Sequence, residues 1–229
     1  MIAPITVVSS MATQAVLAEL ARSFETRSQH RVALESVSGL AAAVRVRAGE
    51  SFDVVVLASG AIDRLLEAGC LVPDSKVDVA RSGVALAVRA GSPRPEVGSE
   101  DALKRAVLRA RTIGHSTGPS GVELARLFER WGITEELRGR VVVAPPGVPV
   151  GSLVAGGEVE LGFQQLSELL PVDGIDVLGP MPASVEILTT FSGAVGSASS
   201  QPDAARELLG FLISPAAADA KRRQGMEPA

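Results

Sequence analysis

Two hydrophobic rhythms alternate along this chain. Short runs of Val, Ile and Leu read as strands, and between them apolar residues recur every three or four positions, as on one helix face. Ile5-Thr6-Val7-Val8 is the first run, followed by a helix from about Thr13 with Leu17, Leu20 and Phe24 on one face. Arg31 to Glu35 reads as a second strand, and a helix from Leu40 to Ala48 stops at Gly49, a suitable C-terminal cap. The run Phe52 to Leu57 is too continuously apolar for a half-exposed sheet and is expected to be central and parallel. A helix carrying Ile62, Leu65 and Leu66 completes a βαβαβα order, which predicts an α/β fold with a mostly parallel sheet and helices on both faces.

The pattern then repeats. A long apolar strand around Ser82 to Val88 reads as a crossing out of the first lobe. Ser99 is placed to cap a helix with Glu100 and Asp101 in its first turn. Strands follow at Thr112 to Gly114, Arg140 to Val143, Val159 to Phe163 and Ile175 to Leu178. Helices lie between them, one with Leu124, Leu127, Phe128 and Trp131 on a single face. A strand region from Val185 through Val195 reads as the return crossing. Ser200 with Pro202 and Asp203, then Ser214 with Pro215, open two last helices expected to pack on the first lobe. The expected domains are residues 1–83 with 192–229 as a discontinuous first lobe, and 84–191 as the second, with a ligand cleft between them.

Composition narrows the function classes. Hydrophobic residues are 46% of 229, charged residues 21%, and the net charge is −4. That is a folded chain without the concentrated Lys and Arg that nucleic acid rewards. Lys221, Arg222 and Arg223 form the nearest basic cluster and read as a solvated helix face. Cys70 is the only cysteine, which excludes an intrachain disulfide and a cysteine-built zinc site. No apolar run reaches the length of a membrane span, and a monomer is expected. Met1-Ile2-Ala3-Pro4 shows no leader signals, so the expected location is cytoplasmic if Met1 is native and periplasmic if a signal peptide has been removed.

The chemistry-bearing residues cluster just after strands, where ligands of parallel α/β sheets sit. Ser9, Ser10 and Ala12 lie between the first strand and helix, where hydroxyls join the free amides of a helix start, although Ser10 also fits a plain cap. Ser38 and Gly39 hold the same position after strand two, or form an ordinary turn. Thr117, Ser120 and Gly121 open a helix in the second lobe, either as an anion nest or as a capping box of Ser120 with Glu123. Val148 lies in a stiff Pro-rich segment, and Gln164 and Gln165 offer amides after a later strand. None of these segments contains Lys or Arg, so a bound anion would be held by hydroxyls and amide dipoles. Catalytic constellations are sparse: His30 reads as exposed, and His115, just before the Ser116 turn, is the one candidate base. No metal or cofactor is expected.

Taken in order, Ile5 to Ser10, Arg47 to Val55, Pro119-Ser120-Gly121, Glu160-Leu161-Gly162-Phe163 and Ser214 to Ala217 resemble the molybdate-binding, type II periplasmic solute-binding proteins. The resemblance implies a Venus-flytrap protein that captures a small oxyanion between two lobes and delivers it to an ABC permease. By position it implies a pocket of Ser9 to Ala12, Ser38, Gly39, Ser120, the Val148 region and Gln165. A ligand serine of that family falls on Ala12 and a tyrosine on Gln165, so a carboxylate or another oxyanion fits as well as molybdate. The resemblance extends to aconitate isomerase, an isomerase of this fold acting on a small tricarboxylate, which is the alternative reading. A cytoplasmic anion sensor is a third.

Overall fold

A computed structural model describes residues 3–229, so Met1 and Ile2, which open the segment read above for leader signals, lie outside the described residues. The chain divides into two compact units, Met1–Ser82 with Thr190–Ala229, and Gly83–Thr189.

The first unit contains β1 (Ile5–Ser10), α1 (Gln14–Glu25), β2 (Val32–Val37), α2 (Gly39–Arg47), β3 (Val54–Ala58) and α3 (Ser59–Glu67). Its strands β1, β2 and β3 are parallel, with Val8 level with Glu35 and Val55. Strand alternation explains the apolar runs. Ile5, Val7, Val54 and Val56 pack on α1, whereas Val8, Val55 and Leu57 face Ala42, Val46, Ile62 and Leu65 of α2 and α3. Strand β3 is central as expected, but it is parallel only to β1. Its other neighbour runs antiparallel, with Val55 opposite Ala194.

Strand β4 (Val77–Arg89) spans the boundary between the units. The second unit continues with α4 (Glu100–Arg109), β5 (Ile113–His115), α5 (Pro119–Arg130), β6 (Val141–Val143), α6 (Val150–Gly156), β7 (Leu161–Gln165), α7 (Leu166–Leu169) and β8 (Ile175–Pro180). Ser99 caps α4 as expected, its Oγ accepting from the Ala102 amide at 3.3 Å. Strands β5, β6 and β7 are parallel, while β7 and β8 flank β4 antiparallel. One face of this sheet packs Leu86, Ile113, Leu161 and Phe163 on α4 and α5.

Strand β9 (Leu188–Val195) carries the chain back, followed by α8 (Pro202–Leu212), α9 (Ala218–Arg223) and β10 (Glu227–Pro228). Both helices pack on the α1 face of the first unit. The return strand starts later than Val185, which belongs to a 3-10 turn at Ala183–Val185. The residue before α8 is Gln201, not Ser200, and Pro202 is its first residue. The basic cluster also needs correction. Arg222 and Arg223 are exposed, but Lys221 is only 1% exposed, and burial pushes its ammonium pKa down. His30 is half-buried, stacked on Phe24 at 6.2 Å with Nε2 3.4 Å from Glu207.

Candidate functional site

In the first unit, parallel register brings the ends of β1 and β2 together. Ser9 lies level with Ser36 and Ser10 with Val37. The Ser9 and Ser36 hydroxyls are 2.8 Å apart, and Ser9 Oγ also reaches the Ser10 carbonyl at 3.3 Å. Ser9 is fully buried, so it braces the strand end. Ser10 does not cap the 3-10 turn Met11–Thr13 that follows. Its hydroxyl lies 3.4 Å from Thr13 Oγ1, a weak contact. Ala12 is buried at the first turn. Ser38 caps α2, with Oγ accepting from the Ala41 amide at 3.2 Å. A Cβ on Gly39 would lie 3.8 Å from that of Ser10, so the two strand ends are neighbours. The start of α2 therefore lies beside the Ser10 side chain.

In the second unit, β5 delivers His115 to a tight turn before α5. The Ser116 hydroxyl accepts from the Gly118 amide at 3.3 Å. His115 Nδ1 lies 2.9 Å from the Ser116 carbonyl. A carbonyl only accepts, so Nδ1 carries a proton, and in the neutral ring it is Nε2 that keeps the lone pair. Gly121 is required by close approach: a Cβ there would collide with the Ser116 carbonyl oxygen and lie 2.7 Å from His115 Nδ1. The capping-box reading of Ser120 and Glu123 does not hold. Pro119, with its preset φ, starts the helix, so Gly118 is the cap and Ser120 lies inside the first turn. Ser120 is buried, Thr117 is exposed, and Glu123 instead pairs with Arg126.

The two glutamines part company. Strand β7 runs through both, so they point to opposite sheet faces. Gln164 turns to α6: its Oε1 accepts from the Gly151 amide at 3.2 Å and its Nε2 donates to Glu168 Oε1 at 3.0 Å. Both ends of Gln164 are occupied, and it does not join the group around α5. Burial pushes the Glu168 carboxyl up to about 7. The i, i+4 spacing of Gln164 and Glu168 was the only sequence signal for that pair. Gln165 takes the α5 face, 3% exposed, and its Nε2 donates to Thr189 Oγ1 at 2.7 Å. Val148 is 37% exposed in the turn before α6, its amide donating to the Pro145 carbonyl at 3.0 Å.

Comparisons with known proteins agree with this organisation. Residues 5–227 match the family model described as bacterial extracellular solute-binding protein. An aconitate isomerase from a Pseudomonas species is 36% identical over 230 residues, covering 98% of this chain and 87% of that protein. Among solved structures, the periplasmic molybdate-binding protein of Azotobacter vinelandii superposes with a TM-score of 0.80 at 20% identity, over 97% of this chain and 98% of that one. A sulfate-binding protein of Mycobacterium tuberculosis gives 0.82 at 18% identity, over 100% and 88%. These structures establish the fold of type II periplasmic binding proteins. The chain belongs to the bacterial extracellular solute-binding protein family.

Proposed function

We propose that this chain is a solute-binding protein that captures a small oxyanion for an ABC transporter, and that the oxyanion is a carboxylate before it is molybdate. The observation that carries the proposal is the joined end of β1 and β2. There Ser10, Ser38 and the opening amides of α2 gather with no Lys or Arg in either segment. Such a set neutralises negative charge with dipoles alone. Within the second unit, Ser120, Gly121 and Gln165 are a separate set of candidate contacts. The preference for carboxylate is supported by the identity to a relative named for aconitate, which exceeds that to the molybdate-binding structure.

Isothermal titration with molybdate, sulfate, trans-aconitate and citrate tests the reading. We expect saturable heat with at least one carboxylate. Ser10→Ala and Ser38→Ala should each weaken it by about 1.5–3 kcal/mol, ten- to a hundredfold. No binding to any of the four would sink the proposal.

The tautomer of His115 supports a second reading, an isomerase acting on aconitate. Nε2 is free to take a proton from the methylene carbon, the electron pair spreads over the three-carbon allylic unit, and the proton returns to its far end. Interconversion of cis- and trans-aconitate, lost in His115→Ala, is the expected result. Full activity in that variant would remove His115 as the base.

A further inference from the structure

The Gln165 side chain has one end tied and one end unmet. Its amino group is held by the Thr189 hydroxyl, which fixes the plane of the amide. Its carbonyl oxygen, Oε1, is buried and accepts no hydrogen bond from any of the described residues. A buried acceptor left without a donor loses its bonds to water and gains nothing in return, so such an atom calls for a partner. The surroundings say where that partner would come from. Strand β7 is level with β5 at Phe163 and His115, which puts Gln165 two residues further on, beside the turn that opens α5. Alternation sets Gln165 on the face of Phe163, which meets Phe128 of α5 edge-on at 6.3 Å. The unmet oxygen thus belongs to the side of the sheet where the start of α5 and the buried Ser120 lie.

We infer that Gln165 selects for ligands carrying an O–H group beside their negative charge, as in a hydroxycarboxylate or a singly protonated oxyanion. The inference rests on the anion-binding reading above and refines it. A fully deprotonated oxyanion offers only acceptors. Placed against Oε1 it would leave that atom unsatisfied and set two electron-rich oxygens against each other. A ligand hydroxyl donates to Oε1 while its carboxylates take the hydroxyl and amide donors nearby. Molybdate and sulfate, which carry no proton near neutral pH, are disfavoured by the same atom.

Matched pairs of ligands test this at constant charge. Malate is compared with succinate, and citrate with propane-1,2,3-tricarboxylate, by titration calorimetry at one pH. We expect the hydroxyl-bearing member of a pair to bind about tenfold tighter or more, the equivalent of at least one satisfied buried acceptor. In Gln165→Met, which keeps the bulk and removes the acceptor, the ratio should fall towards one. Gln165→Glu keeps an acceptor at this position, and its ratio should stay high even though both affinities drop. Because the readout is a ratio between two ligands, a partly misfolded variant does not distort it. Equal binding of both members by the unaltered protein, or an unchanged ratio in Gln165→Met, overturns the inference while leaving anion capture intact. Failure of every anion to bind overturns both.

Discussion

Gly121 shows how much a missing side chain can do. The first turn of α5 folds back so tightly that the Ser116 carbonyl occupies the space of a Cβ, with His115 Nδ1 alongside. Gly121→Ala must push that carbonyl away and disturb the bond that fixes the imidazole tautomer. We expect a loss of about 1–3 kcal/mol in urea unfolding, as for other overpacked sites. The resonance pattern of the His115 ring nitrogens should change with it, and an unchanged midpoint would show that the turn relaxes freely. At this scale the sequence was informative wherever position relative to a strand end was decisive. Ser10, Ser38 and Gly39 sit where the βα order puts them. It misled where a single residue of register mattered. Ending β7 at Phe163 leaves Gln164 and Gln165 equivalent, whereas two more residues of strand send them to opposite faces. Lys221 read as solvated because charge alone was weighed, while its neighbours Ala217 and Ala220 are core residues that draw its stem inward.

Among the elements, β3 depends most on a polar anchor. Asp53, immediately before it and 4% exposed, accepts from the Thr6 amide and hydroxyl, both at 2.9 Å, from Ser199 at 2.6 Å and from Gln201 at 3.1 Å. These donors join β1 to the segment leading into α8. Burial alone would raise the Asp53 pKa, but the hydrogen bonds outweigh it and hold the carboxyl below its usual value. Asp53→Asn sets a donor against donors and should cost about 1.5–3 kcal/mol by chemical denaturation. Element type was legible from periodicity for every long helix and buried strand. Strand direction was not: the apolar run of β3 predicts burial, and burial is the same whether its far neighbour is parallel or antiparallel. Only the late return of β9 decides that, through contacts far apart in sequence.

Taken whole, the molecule carries opposing responses to pH in its two units. Asp53, in the first unit, has a depressed pKa, so its contribution is present above the ordinary carboxylate range and is lost as the pH falls through and below it. Glu168, in the second, has its pKa raised to about 7, so its protonated form stabilises that unit in acid and the benefit is lost as the pH climbs through neutrality. Hydrogen exchange resolved by segment should show protection of residues 83–189 declining between mildly acidic and neutral pH, and Glu168→Gln should flatten that decline. A slope unchanged by the substitution would assign the effect elsewhere. The interrupted first unit has a further consequence for how the protein is made. A ribosome translates nearly all of Gly83–Thr189 before it reaches β9, which lies between β3 and β4 in the sheet order. The contiguous half can therefore acquire its structure while the other waits with β3 exposed along one edge. A chain truncated at Thr189 and freed from the ribosome should resist protease in its later portion and be cut in its earlier one.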